Sequence, residues 1–218
     1  MKGIFYNSRG LSDLAKHRYM ADCIKEHKLD FVAISETRKK EISKKNLDRL
    51  AGGADFIWHC LPPRGQSGGI LLGINALKLD LSLIVEGDFY LKFHLTNKED
   101  NFQWILMAVY GPAQDDFKTS FLAELVHTCQ QNHLPTLLGG DFNILRRSTE
   151  KSNDRYSSRW PFLFNVVIDS FDLRVDLTGR QFTWANSLSS PTFEKLDRVL
   201  MSTEWESKYP LVSVHALD

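Results

Sequence analysis

"LPTLLGGDFNILRR", Leu134 to Arg147, is the stretch on which the reading of the fold turns. An apolar run stops at two glycines, and a carboxylate, Asp141, and a carboxamide, Asn143, then bracket Phe142. Residues i and i+2 of an extended segment share a face, so the run reads as a strand that sends Phe142 into a core and turns Asp141 and Asn143 the other way. Two oxygen-bearing side chains on one face could hold a ligand.

The same grammar extends outward in both directions. Upstream, "KGIFYN", "LDFVAISE", "DFIWHC", "GGILLGI", "YLKFHLTN" and "WILMAVYG" read as strands; in "YLKFHLTN" Leu91, Phe93 and Leu95 alternate with Lys92, His94 and Thr96. A helix is expected from about Leu11 to Lys28, with Ala15, Tyr19 and Cys23 on its inner face, and another from about Asp116 to Asn132. Downstream come a helix over "SRWPFLFNVVIDSF" and the strands "QFTWAN", "EKLDRVLMS" and "LVSVHAL", the last containing His215. No repeat, linker or low-complexity tract interrupts the series. Many strands with a few helices between them predict an α/β protein: a four-layer α/β sandwich of two mixed β-sheets flanked by helices, built as one domain over residues 1–218.

Composition narrows the function classes. With 27 basic and 27 acidic residues among 218, the chain is not a generic polyanion binder, so any nucleic-acid affinity has to be local. Cys23, Cys60 and Cys129 lack metal-site spacing and are odd in number, which predicts reduced thiols rather than disulfides or a zinc site. The start, "MKGIFYNSRG", has no apolar signal region, and no apolar run approaches a membrane span; an intracellular protein without a membrane partner is expected.

Polar groups recur at the ends of the apolar strands: Asn7, Glu36, Tyr110, Asp141 with Asn143, and Asp197. Singly, a strand-end Asp or Asn is a turn former. Binding sites in layered α/β proteins gather at strand ends, so together these residues are expected to converge.

With their flanking residues they resemble the endonuclease/exonuclease/phosphatase family: "YNSRGL", "SETRK", "VYGP", "GGDFN" and "LDRVL" match its five successive motifs. "YNSRGL", "VYGP", "GGDFNILR" and "QFTWAN…LDRVLMS" look most like the endonuclease domain of plant LINE-type, non-LTR retrotransposon polyproteins. The resemblance implies a Mg²⁺- or Mn²⁺-dependent endonuclease that nicks double-stranded DNA and leaves a 3′-hydroxyl, acting in the nucleus beside a reverse transcriptase of the same polyprotein. It implies metal ligation by Glu36, with Asn7 assisting, and catalysis by Asp141, Asn143, Tyr110, Asn7 and Asp197. Thr183, Arg9 and Arg146 would contact substrate, and Arg38, Lys39, Lys40, Arg147, Arg155 and Arg159 would lie along the DNA backbone. The loop Asn186 to Thr192 would influence target choice. Two other readings stand beside it: another phosphoesterase of the family, acting on inositol phosphates or RNA, and a decayed copy that binds nucleic acid without cutting. The family's closing S-D-H-x-P segment has no counterpart in "SVHALD", where His215 lies outside that frame, so a domain without its final strand and with low activity is expected.

Overall fold

The computed structural model describes residues 1–64, 68–175 and 181–216, with Val175 described by its backbone alone. Two compact units result, Met1–Tyr110 and Gly111–Asp218.

The first unit opens with β1 (Gly3–Asn7), α1 (Leu14–His27), β2 (Phe31–Ser35), α2 (Lys44–Ala51), β3 (Phe56–Leu61) and β4 (Ile70–Asn75). β1 and β2 pair in parallel and β4 joins β2 and β3 antiparallel, giving a sheet ordered β1-β2-β4-β3. The α1 helix starts later than expected, because the Asp13 side chain accepts the Ala15 N–H and sets the N-cap there. Its inner face is His17, Met20, Cys23 and Ile24, whereas Ala15 is exposed and Tyr19 largely so. The expected stripe was out of phase because His17, polar by type, is buried with its ring nitrogen on the Leu11 carbonyl. Met20, Cys23 and Ile24 pack with Leu50 of α2 onto Ile4, Val32, Ile34 and Leu71 of the sheet.

A meander of β5 (Leu79–Glu86), β6 (Tyr90–Asn97) and β7 (Gln103–Tyr110) completes the unit, antiparallel throughout. Trp104 of β7 meets Phe31 of β2 edge-on at 6.3 Å, and Phe93 of β6 meets His59 of β3 at 6.4 Å. β5 was not foreseen from the sequence: a bulge between Leu81 and Leu83 breaks the two-residue period and leaves Leu83 exposed.

In the second unit come α3 (Asp115–Gln130), β8 (Thr136–Asp141), a 3₁₀ turn at Ser148–Glu150, α4 (Arg159–Ser170), β9 (Arg174–Val175), β10 (Trp184–Ala185), β11 (Phe193–Glu194), β12 (Asp197–Met201) and α5 (Thr203–Lys208). β12 runs antiparallel between β8 and β9, and β10 with β11 forms a two-stranded hairpin. Phe142 is fully buried, its ring 6.4 Å from Phe121 of α3 and 5.3 Å from Phe164 of α4, the core place expected for it, although Asp141 beside it is buried too.

Two expectations need correction. "EKLDRVLMS" is not one strand: β11 ends at Glu194, β12 starts at Asp197, and the Leu196 carbonyl between them accepts the Phe142 N–H. "LVSVHAL" is not a strand over the described residues: His215 alone forms a bridge, and Val212, Val214 and Ala216 are only half-buried between the exposed Leu211, Ser213 and His215. Leu217 and Asp218 lie outside the described residues. The cysteines are free, Cys23 buried and the others half-buried.

Candidate active site

The first unit supplies Asn7, Glu36 and Tyr110. The parallel pairing of β1 and β2 continues past the strands: Gly10 N–H donates to the Glu36 carbonyl at 2.7 Å and Leu11 N–H to that of Thr37 at 3.0 Å. On the other side Arg38 N–H donates to the Gly68 carbonyl at 2.7 Å. Held from both flanks, Glu36 and Arg38 each take a left-handed φ of 52° around the fully buried Thr37. Left-handed backbone at two non-glycine residues is costly and persists where surrounding bonds over-determine it, which is characteristic of functional sites.

The strained turn presents the Glu36 carboxylate. Asn7 Nδ2 donates to Oε1 at 3.0 Å and Arg38 Nη2 to Oε2 at 2.9 Å, while the Asn7 Oδ1 accepts the Arg9 N–H at 3.1 Å. This fixes the Asn7 amide with its nitrogen toward Glu36, so Asn7 orients the carboxylate. Gly68 passes directly over the pair: a Cβ there would lie 3.0 Å from Glu36 Cα, 3.1 Å from its Cγ and 3.3 Å from the Tyr110 ring. Asn7, Glu36 and Tyr110 are thus brought together. The loop from Ser8 to Leu11 is braced by Lys16, whose ammonium donates to the carbonyls of Ser8 and Gly10 at 2.6 and 2.9 Å.

In the second unit Asp141 and Asn143 do not share the face of one extended strand. Asn143 has φ 50°, and its N–H donates to Asp141 Oδ1 at 2.9 Å, so the chain turns where continued extension was expected. Asn143 Nδ2 donates to the Gly111 carbonyl at 2.8 Å, and Gly111 N–H donates to the Asp141 carbonyl at 2.7 Å. Asp141, only 3% exposed, pairs in register with Asp197 of β12. Thr183 Oγ1 accepts the N–H groups of Leu196 and Asp197, each at 3.0 Å, pinning "QFTWAN" to the start of β12 while its hydroxyl hydrogen can still be donated. Asp141, Asn143, Asp197 and Thr183 therefore form a second group.

The arginines separate. Arg9 is exposed at φ 46°. Arg146 is half-buried with Nε donating to Asn165 Oδ1 of α4 at 2.7 Å; burial, with the charges of Arg198 and Arg147, lowers its pKa. Arg147 is the exposed member of the pair. Arg38 serves the Glu36 carboxylate, a role that sequence reading missed although its position two residues on was visible.

The profile of the endonuclease/exonuclease/phosphatase family matches residues 4–218. The chain belongs to this family. No curated protein sequence matches the chain significantly. Solved structures do. The AP endonuclease LMAP of Leishmania major has a TM-score of 0.70 at 14% identity, with 94% of this chain and 80% of that one covered. The endonuclease domain of TRAS1, a telomere-specific non-LTR retrotransposon, has a TM-score of 0.69 at 10% identity, covering 93% and 84%. TDP2 of D. rerio, complexed with a single-strand DNA product, has a TM-score of 0.62 at 11% identity, covering 92% and 82%. At these identities the likeness is one of fold: α/β, with two mixed sheets and flanking helices, the class that the sequence predicts.

Members of the endonuclease/exonuclease/phosphatase family are hydrolases of phosphoester bonds and generally use divalent metal ions. Among the described residues no three His, Cys, Asp or Glu side chains cluster as a metal cage. That is compatible with Mg²⁺, which takes one or two carboxylates and keeps most of its waters. Glu36 suits such an ion: its side chain is 14% exposed, and each oxygen accepts one hydrogen bond, leaving a second lone pair. No helix among the described residues is long and apolar enough to cross a membrane.

Proposed function

We propose that this chain is a divalent-metal-dependent phosphodiesterase that nicks double-stranded DNA, of the kind that prepares a primer end for a reverse transcriptase of the same polyprotein. The observation that carries the reading is the Glu36 carboxylate, fixed through both oxygens by Asn7 and Arg38 on a strained turn beside Tyr110. A hard divalent cation held by Glu36 would neutralise phosphate charge and lower the barrier to attack by water. Asp141 accepts the proton of the attacking water as its oxygen bonds to phosphorus. The P–O3′ bond breaks, leaving a 5′-phosphate and a 3′-oxygen that takes up a proton. Asn143 and Tyr110 donate hydrogen bonds to the phosphoryl oxygens as charge develops, Thr183 does the same through its hydroxyl, and Asp197 supports Asp141 across the strand pair. Arg9 and Arg147 contact the backbone, while Arg146 braces its own turn against Asn165.

DNA is favoured over inositol phosphates by the motifs "GGDFNILR" and "QFTWAN…LDRVLMS", and by the hairpin whose tip at residues 187–191 is exposed and polar apart from Leu188 and Pro191. The test is supercoiled plasmid incubated with the protein and Mg²⁺, then with chelator. Relaxed circles that form only with the metal, and whose nicks a DNA polymerase can extend, are expected. Intact plasmid at high protein concentration, or nicks ending in a 3′-phosphate, would overturn the proposal.

A further inference from the structure

A buried ion pair lies in the second unit, outside the residues used above. Arg198 of β12 is 1% exposed at its side chain and Glu150 of the 3₁₀ turn 14%. They meet through two prongs, Nη1 to Oε1 at 3.0 Å and Nη2 to Oε2 at 2.6 Å. Glu150 Oε2 also accepts the N–H groups of Arg146 at 2.6 Å and Arg147 at 3.4 Å. Arg198 Nη2 reaches further, donating to the carbonyls of Lys195 at 2.9 Å and Ile144 at 3.3 Å, while its Nε is buried without a partner among the described residues.

Such a pair is a poor way to add stability. Removing two charges from water costs much of what their attraction returns, and apolar residues of the same volume commonly do as well. An orphaned Nε adds to the cost. What the pair does secure is the segment directly after Asn143. That residue is left-handed at φ 50°; Asp141 holds its N–H, and Arg198 holds the carbonyl of the next residue, Ile144. The strained conformation is clamped on both sides, as an over-determined backbone must be.

We infer that Glu150 and Arg198 are positioning residues: their pair sets the turn from Asn143 to Arg147, aiming the Asn143 amide at the reacting phosphate and turning Arg147 outward. This rests on the phosphodiesterase reading. The full chain is compared with Glu150→Gln, which keeps the shape but turns one acceptor into a donor, and with the milder Arg198→Lys, which keeps the charge but loses the fork. Nicking kcat and KM, the unfolding midpoint, and amide hydrogen exchange at residues 143–147 are measured well below that midpoint. Each variant is expected to lose on the order of 10- to 100-fold in kcat, as a small misplacement of a catalytic group does, with KM raised no more than it is by Arg147→Ala. Exchange at residues 143–147 should quicken, and the double variant should lose no more kcat than the worse single one. A lowered midpoint with kcat unchanged in the folded variants would reduce the pair to a stability element and overturn the inference. If the unaltered chain does not nick, the phosphodiesterase reading fails instead, and unchanged exchange at residues 143–147 would refute the positioning claim independently of activity.

Discussion

Glu36 is half-buried, left-handed and bound through both carboxylate oxygens, and three of its neighbours explain it: Asn7, Arg38 and Gly68. The sequence offered Glu36 and Asn7 by their places at strand ends. It could not offer Gly68, which sat inside "GGILLGI" as the start of a strand and shows its purpose only once the backbone passes over Glu36. Because no left-handed φ is required there, space alone limits that position. Gly68→Ala should push the added methyl against Glu36 and Tyr110, cutting nicking by roughly 10-fold or more while the circular dichroism spectrum stays that of the parent. Unchanged nicking would mean that the carboxylate moves without consequence. Arg146 and Arg147 show the limit of reading adjacent residues: chemistry is identical, and only the Asn165 contact separates the strut from the exposed cation.

At the scale of elements, apolar strands with continuous burial were legible, as β2, β4 and β7 show, whereas β6 alternates only in its second half because Lys92, expected on the outer face, is buried. Those that failed lacked a local signal. α2 is only eight residues long, with Leu50 and Ala51 buried and Leu47 packed beside them among Lys44, Lys45, Asn46 and Asp48, and β5 is bulged. "LVSVHAL" has the alternation, with Val212, Val214 and Ala216 half-buried, but its described residues make only the His215 bridge. The turn after β8 was read as extended because Asn143 bonds back to Asp141, a contact that a period of two does not encode.

The same turn makes an acid-stability prediction. Glu150 is buried, which alone would raise its pKa, but the Arg198 hydrogen bonds and charge and the N–H groups of Arg146 and Arg147 outweigh burial and hold it below the ordinary 4.5. Lys195, half-buried beside them, adds to the positive surroundings. A depressed folded pKa contributes stability that is present above pH 4.5 and lost as pH falls through the folded value. The unfolding midpoint of the parent should therefore fall more steeply below that pH than the midpoint of Glu150→Gln. Parallel curves would show that Glu150 does not titrate differently in the folded state. The β10–β11 hairpin is tied by Asn153 to Thr192 and by Lys151 to Glu194, so its tip is carried on a fixed base. Replacing residues 187–190 should alter where nicks fall on a long duplex more than how fast they form; an unchanged nick map would remove the hairpin from target choice.

For the whole molecule, charge balance is the governing quantity. With no net charge, the DNA binding proposed above would rest on a few exposed cations, and removing any one of them should weaken it measurably. Arg147→Ala should weaken binding about equally across sequences and reduce the slope of log K against log salt by roughly 1. A sequence-dependent loss at constant slope would mean that Arg147 reads bases. Under the proposed function the carboxylates of Glu36 and Asp141 both serve phosphodiester hydrolysis, and the nicking rates of Glu36→Gln and Asp141→Asn measure that. Each swap preserves size and hydrogen-bonding shape while removing the charge that would hold a cation or accept a proton. Both folded variants should lose on the order of 10²- to 10⁴-fold in metal-dependent nicking of supercoiled plasmid; an undiminished rate from either would exclude that carboxylate from the hydrolysis.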